Sequence, residues 1–189
     1  MVNNPSKMTH LELPELELGL DQIRRSPKDE GILELIVRRP RTDERETLGR
    51  GELTQAEGLV GDTWRTRGSS RTPDGSSHPD MQLAIMNVRL VSLVAQSRER
   101  WPLAGDQLFV DLDLSADNLP AGTRLSLGSA EIEITDQAHT GCKKFLSRFG
   151  EPALLFVNSP VGKQLRLRGV YARVVQTGVI QIGDRVRKV

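Results

Sequence analysis

The chain contains one cysteine, Cys142, in the run Asp136-Gln-Ala-His139-Thr140-Gly141-Cys142-Lys143-Lys144-Phe145. A sulfur nucleophile or metal ligand acts as its thiolate, and nearby positive charge or helix-terminal N–H groups favour that form. A histidine stands three residues before this sulfur and two lysines follow it directly. Lys143 to Phe149 suits a short helix beginning near Thr140 or Gly141, which predicts the sulfur at the positive end of a helix dipole. The plainer alternative is an inert, buried apolar residue, the commonest role of a free cysteine.

Other residues suit phosphate. Arg65, Arg67 and Arg71 lie in a long loop, Lys143, Lys144 and Arg148 follow the cysteine, and Arg166 and Arg168 lie in Leu165-Arg-Leu-Arg-Gly169. Guanidinium groups grip phosphate through paired donors. Each of these is ordinary solvated charge when taken alone, so only convergence on Cys142 gives the set a meaning. His78, Asp80, His139 and Cys142 are conceivable metal ligands, but their spacing matches no zinc pattern. A metal carried in by a cofactor and held by one thiolate is easier to accommodate. A cysteine hydrolase would need Cys142, His139 as base and Asp136 behind it. There is no G-x-S-x-G elbow, and Gly58-x-x-Gly61 is too short for a Walker-type loop.

Composition narrows the classes. The 189 residues fit one domain with an extension. Lys and Arg number 26 against 25 Asp and Glu, for a net charge of +1, so there is no general field to attract nucleic acid and any anion site must be local. A single cysteine excludes an internal disulfide framework and a multi-cysteine zinc site, and fits a reducing compartment. Met1 to Leu20 interleaves Glu12, Glu15 and Glu17 with leucines, unlike a signal peptide. No stretch approaches the ~20 apolar residues of a membrane span, and the expectation is a cytoplasmic protein.

Residues 1–30 read as an N-terminal extension, with Leu16, Leu20 and Ile23 spaced for a short helix that covers part of the domain at 31–189. From Gly31 the period shifts toward two. Ile32–Val37, Glu46–Leu53, Met81–Met86, Leu108–Leu114, Arg124–Leu127, Ala130–Thr135, Tyr171–Gln176, Val179–Ile182 and Arg185–Val189 read as strands. Gly58-Leu-Val-Gly61-Asp62 reads as a turn and 65–80 as the longest loop. Asn87 is placed to cap a helix whose Val88, Val91, Val94 and Ala95 share one face, and a second helix is expected over Pro152–Asn158. Many short strands with glycine turns predict a mainly β protein, a closed or partly closed β-barrel with a few short helices.

From about Thr47 onward the chain resembles the MOSC family, named for the C-terminal domain of molybdenum cofactor sulfurase. The matching pieces follow the family's order: Gly58-Leu-Val-Gly61-Asp62, His78-Pro79, a helix rich in valine and leucine, Gly105-Asp-Gln-Leu-Phe109, and Leu119 to Gly128. Then come Ala130–Thr135, His139-Thr-Gly-Cys142-Lys-Lys-Phe, Arg148-Phe-Gly150, Arg168-Gly169-Val-Tyr171 and Gly178 to Asp184. The resemblance implies a barrel-like fold with a cleft holding the family's characteristic cysteine, here Cys142. It implies binding of the molybdenum cofactor or a related pterin phosphate, with Cys142 as a ligand of molybdenum or a carrier of sulfane sulfur. His139 would then set the ionisation of the sulfur, Lys143, Lys144, Arg148, Arg168, Arg65 and Arg67 would neutralise phosphate, and His78 would line the site. Many members carry Phe-Gly-Glu-Asn-Leu where this chain reads Phe109-Val-Asp111-Leu-Asp-Leu114, so Asp111 stands in for the acid and the asparagine has no counterpart. The chain has no aminotransferase-like part and hence no pyridoxal phosphate site. Expected partners are a small-molecule cofactor or substrate and a cysteine desulfurase or redox protein, with neither nucleic acid nor membrane. The alternatives are a cofactor-free persulfide carrier and a non-catalytic binding module with an inert buried cysteine.

Overall fold

Alternating apolar residues build the strands, and the strands close on themselves. The computed structural model describes residues 10–189, so the first nine residues of the expected 1–30 extension lie outside the described residues. The strands are β1 (Glu30–Arg38), β2 (Glu46–Leu48), β3 (Arg50–Thr54), β4 (Gly58–Leu59), β5 (Leu83–Asn87), β6 (Leu108–Asp111), β7 (Arg124–Leu127), β8 (Ala130–Ile134), β9 (Val170–Gln176), β10 (Gly178–Gln181) and β11 (Arg185–Lys188). The helices are α1 (Leu13–Leu18), α2 (Leu20–Arg24), α3 (Trp64–Arg67), α4 (Val88–Ala95), α5 (Lys143–Asn158) and α6 (Pro160–Gln164).

Seven strands follow the order β11-β7-β8-β9-β5-β6-β1, and pairing of Glu30–Ile32 with Arg185–Arg187 closes the ring. Neighbours are antiparallel except β5 and β6, which are parallel. β2 extends the edge of β1 where β11 leaves it, from Ile36↔Leu48 to Arg38↔Glu46. A second sheet has the order β10-β3-β4. The expected mainly β barrel is therefore present, and closure leaves few unpaired edges. The strand expected over Glu46–Leu53 is two strands in different sheets, broken at Gly49. The expected turn at Gly58 opens with β4, and the loop at 65–80 begins inside α3 and ends in a 3-10 turn at Pro79–Met81. The run Leu108–Leu114 leaves the sheet at Asp111, although Leu112 and Leu114 stay in the barrel core.

Two apolar clusters share the barrel wall. Leu33, Ile36, Ile85, Leu108, Val110 and Ile132 belong to the barrel core, whereas Leu35, Val37, Met86 and Phe109 meet the helices. Leu33 and Leu35 would share a face in a regular strand. A register shift between them sends the two side chains into different clusters. On the helical side, Asn87 caps α4 by accepting from the N–H groups of Arg89 and Leu90, as its sequence position implies. Leu16 and Ile23 bury into the same cluster, with Leu20 against it, so the expected stripe does cover the domain.

α5 brings Phe145, Phe149 and Phe156 fully into this cluster, each worth about 1.5–3 kcal/mol of burial. Gly150 interrupts α5 at φ +84°, and Pro152 sits just beyond it, so the expected helices over 143–149 and 152–158 are the two halves of one kinked element.

Candidate functional site

Cys142 is the N-cap residue of α5, in extended backbone, and its side chain makes no capping hydrogen bond. The sulfur is exposed, which removes the buried cysteine from the possible readings. Asn158, at the far end of the same helix, fixes the approach to it: its Oδ1 accepts from Gly141 N at 2.9 Å and its Nδ2 donates to Gly141 O at 3.3 Å. Any side chain at Gly141 would crowd Leu154 and Val157, 2.7 and 3.0 Å from a Cβ. Cys142 and Phe145 line a hollow of about 530 Å³ between α5, the β1–β2 loop and the segment at 63–71.

The floor of the hollow holds two buried ion pairs. Arg39 follows β1 directly, and its Nε and Nη2 donate to the two oxygens of Asp62 at 2.8 and 2.7 Å while Nη1 donates to Gly105 O at 2.9 Å. Arg168 donates Nη1 to both oxygens of Asp106 at 3.0 and 2.8 Å, donates Nη2 to Ala104 O, and lies over the Phe145 ring. Asp106 is wholly buried. Burial raises it above the ordinary carboxylate range, and the Arg168 charge opposes that rise. Gln107 ties the pairs to the barrel by donating to Gln82 O and accepting from Ala84 N.

The walls carry charge without matching acid. Eight lining residues are Arg or Lys and only Asp43 is acidic, although the whole chain is near neutral. Arg45 donates Nη1 to the Glu44 carbonyl, but its buried Nε has no hydrogen-bond partner among the described residues. Desolvation lowers its pKa, with Arg148 and Arg39 adding repulsion. Arg67 ends α3 with no hydrogen bond or ion pair to its guanidinium among the described residues, and desolvation, then Arg39, lower its pKa too. Arg71 is tethered to the Ala138 carbonyl, and Lys144 and Arg148 both reach Asp43 at 3.2 and 3.3 Å. A concave surface with this excess focuses a positive potential.

His139 lies on the wall stacked on Tyr171, with centroids 4.2 Å apart. Its Nδ1 is 3.7 Å from Asp106 Oδ1, beyond hydrogen-bond reach, and has no hydrogen-bond partner among the described residues. Burial holds its pKa well below 6.5, with Arg168, Arg39 and Arg71 pushing the same way, so the ring is neutral at pH 7. Among the described residues it makes no hydrogen bond to Cys142. Asp136, expected behind it, is exposed and accepts from Gln137 instead.

Of the residues singled out in sequence, Cys142, His139, Lys144, Arg148, Arg168, Arg67 and Arg71 line this hollow, and Lys143, Arg65, Arg166, His78 and Asp111 do not. Lys143 points out because one residue turns a helix by about 100°. His78 caps the 3-10 turn through Asp80 N and accepts from Trp64 Nε1 at its carbonyl. Asp111 pairs with Arg89 at 2.7 Å. Arg166 donates to Leu119 O and lines a neighbouring hollow that shares His139 and Thr140. Among the described residues no three His, Cys, Asp or Glu side chains gather to hold a metal, so His78, Asp80, His139 and Cys142 form no zinc site. Sequence reasoning missed Arg39, Arg45, Asp43, Asp62, Asp106 and Tyr171. The signals present were that Asp62 and Asp106 stand directly beside glycines and that they, with Tyr171, fall within the runs matched to the family's order.

No described helix is long and apolar enough to cross a membrane. The sequence pattern of the MOSC domain matches residues 79–187, which includes the Cys142 segment and leaves Gly58–Asp62 upstream. Among crystal structures, the YuaD protein from Bacillus subtilis is similar over 83% of this chain and 94% of its own, at 17% identity and a TM-score of 0.58. YiiM from Escherichia coli is similar over 84% of this chain and 69% of its own, at 20% identity and a TM-score of 0.52. At these identities the likeness concerns the fold alone. No curated protein matches the sequence. With the family pattern spanning more than half of its length, the chain belongs to the MOSC domain family.

Proposed function

We propose that the hollow binds a phosphate-bearing anion, and that the ligand is the molybdenum cofactor or a related pterin phosphate, presented to the sulfur of Cys142. The observation that carries this is the excess of cations on the walls, above all the half-buried Arg45, whose Nε is buried without a hydrogen-bond partner among the described residues, with the exposed Arg67 beside it and without a carboxylate partner among them. Such charge is costly to keep unless an anion shares the space. The donor set fits the group: paired N–H donors for phosphate oxygens and one exposed thiol for a soft metal. Arg45, Arg67, Arg148 and Lys144 would hold the phosphate. Arg39 and Arg168, already neutralised by Asp62 and Asp106, would shape the floor. When bound, the cofactor supplies a redox-active molybdenum. The chain supplies the sulfur, the charge and a neutral His139 ring.

The test is to purify the protein from cells that make the cofactor and measure molybdenum and released pterin. Wild type should carry both, Cys142→Ser should lose molybdenum before pterin, and Arg45→Met with Arg67→Met should lose both. Absence of both from wild type would sink the reading.

A second reading, a sulfur carrier without cofactor, is favoured by the exposure of Cys142 and its lack of a capping bond. The thiolate would attack the sulfane sulfur of a desulfurase persulfide and release the desulfurase thiolate, with no net oxidation. Incubation with a desulfurase and cysteine should add one sulfur to Cys142 by mass spectrometry, and no adduct would argue against it.

A further inference from the structure

Asp43 is the one acid among the residues lining the hollow. It sits at the tip of the β1–β2 loop and reaches α5 across the mouth, to Lys144 Nζ at 3.2 Å and Arg148 Nη2 at 3.3 Å. Its backbone is left-handed at φ +62°, a conformation that Asp and Asn tolerate better than most residues. Both ends of the loop are anchored: Arg39 is buried against Asp62 and Gly105, and Arg38 clasps Glu46 with bonds of 3.0 and 2.7 Å. Between these anchors the tip has, among the described residues, bonds within the loop itself (the Arg41–Glu44 pair, Glu44 N to Arg41 O and Arg45 Nη1 to Glu44 O), and its reach across the mouth rests on the two ion pairs of Asp43. Both Asp43 and Lys144 are more than half exposed, and exposed pairs are weak and screened by salt. The tip is thus a hinge-anchored strap held shut by contacts that break cheaply.

The ground beneath the strap is shaped for more than a carboxylate. Gly105, at φ +87°, has no side chain where the Arg148 and Arg45 guanidiniums converge, 3.6 and 3.9 Å from where a Cβ would stand. Asp43 reaches Arg148 and Lys144, while the buried Arg45 Nε has no partner among the described residues.

Resting on the reading that the hollow binds a phosphate-bearing anion, we propose that Asp43 is a specificity-determining residue. Its carboxylate occupies the Lys144–Arg148 subsite as a resident anion, which a phosphoryl group displaces and a carboxylate ligand does not. A carboxylate exchanges like for like and gains nothing over the resident. A phosphoryl group brings a charge near −2 and three acceptor oxygens, enough to serve Lys144, Arg148 and Arg45 together. Displacement frees the strap tip.

The experiment titrates inorganic pyrophosphate and malonate into the full chain by calorimetry, using wild type, Asp43→Asn and Glu44→Gln. Asparagine keeps the left-handed turn, and Glu44→Gln removes the same charge from the same strap without touching Lys144 or Arg148. Wild type should bind pyrophosphate in preference to malonate. Asp43→Asn should tighten malonate by about fivefold, the effect of one nearby charge in a wet site, and so shrink the preference, while Glu44→Gln leaves it within about twofold. Amide hydrogen exchange at 41–45 in wild type should rise when pyrophosphate is added. An unchanged preference in Asp43→Asn, an equal change in Glu44→Gln, or slower exchange at 41–45 overturns the proposal while the anion site stands. Wild type that binds no pyrophosphate overturns the anion site and, with it, the role of Asp43.

Discussion

Asparagine in place of Asp106 changes one oxygen to an amide and no volume, yet it should be among the most damaging single substitutions in the chain. Asp106 is fully buried, and Arg168 is nearly so, with both carboxylate oxygens within 3.0 Å of its Nη1. The substitution leaves a guanidinium in the protein interior facing a neutral group. Stranding one partner of a buried pair costs about 3–5 kcal/mol. Total stabilities lie near 5–15 kcal/mol, so this is a large share. For a chain of this size it corresponds to a fall in Tm of roughly 6–20 °C.

The control is Glu46→Gln, which breaks the half-exposed Arg38–Glu46 pair and should cost at most about 1 kcal/mol. Urea melts followed by far-UV circular dichroism at neutral pH compare the two. The double substitution Asp106→Leu with Arg168→Met should recover much of the loss, because an apolar pair of similar volume needs no charge compensation. If Asp106→Asn costs no more than Glu46→Gln, the floor of the hollow is not held by this pair and the reasoning fails. If the double variant is as unstable as the single one, packing rather than charge sets the cost.

His139 gives a pH test. Burial, aided by Arg168, Arg39 and Arg71, keeps its folded pKa well below 6.5, so below that pH the unfolded chain takes up a proton that the folded chain refuses. Stability is therefore full above about pH 6.5 and falls as pH drops below it, by up to ~1.4 kcal/mol per unit, and His139→Phe should flatten the urea midpoint between about pH 7.5 and 5.5. Asp106, raised by burial, acts in the opposite sense at the acid end and must be read apart from it. Asn158→Ala removes both bonds to Gly141 and should cost about 1–2 kcal/mol in urea melts, while Cys142 still reacts with a thiol reagent in the native state. Gly150→Ala places a Cβ 2.9 Å from the His10 ring at φ +84° and should lower stability by about 1–3 kcal/mol, read as a drop in Tm.

What the sequence disclosed were features written in a few adjacent residues. Asn87 before Val88-Arg-Leu-Val is a cap whatever surrounds it, and the structure uses it so. Gly150 and Pro152 split α5 where the apolar pattern breaks. The bulge in β1 was hidden, because Leu33-Glu-Leu35 reads as two apolar residues on one face and only the pairing with β6 separates them. The buried ion pairs were hidden for a similar reason. Arg39 and Asp62 lie 23 residues apart and Asp106 and Arg168 lie 62 apart, so no local pattern pairs them. An arginine on a turn normally faces water, and only the folded barrel decides that these two do not.

That distinction also explains how a chain with a net charge of +1 comes to hold so basic a hollow. The two floor arginines are paired with Asp62 and Asp106 where they stand, so they lend shape rather than net charge. The wall cations Arg45 and Arg67 form no ion pair among the described residues, whereas other acids of the chain are paired elsewhere, as Glu30 is with Arg185 and Arg187. Neutrality over the whole surface is thus compatible with a local positive field, and Cys142 lines the hollow that carries it. A ligand drawn there meets charge first and sulfur second. Charge reversal at Arg67, as Arg67→Glu, should therefore abolish pyrophosphate binding in a titration while Cys142 keeps its native reaction with a thiol reagent.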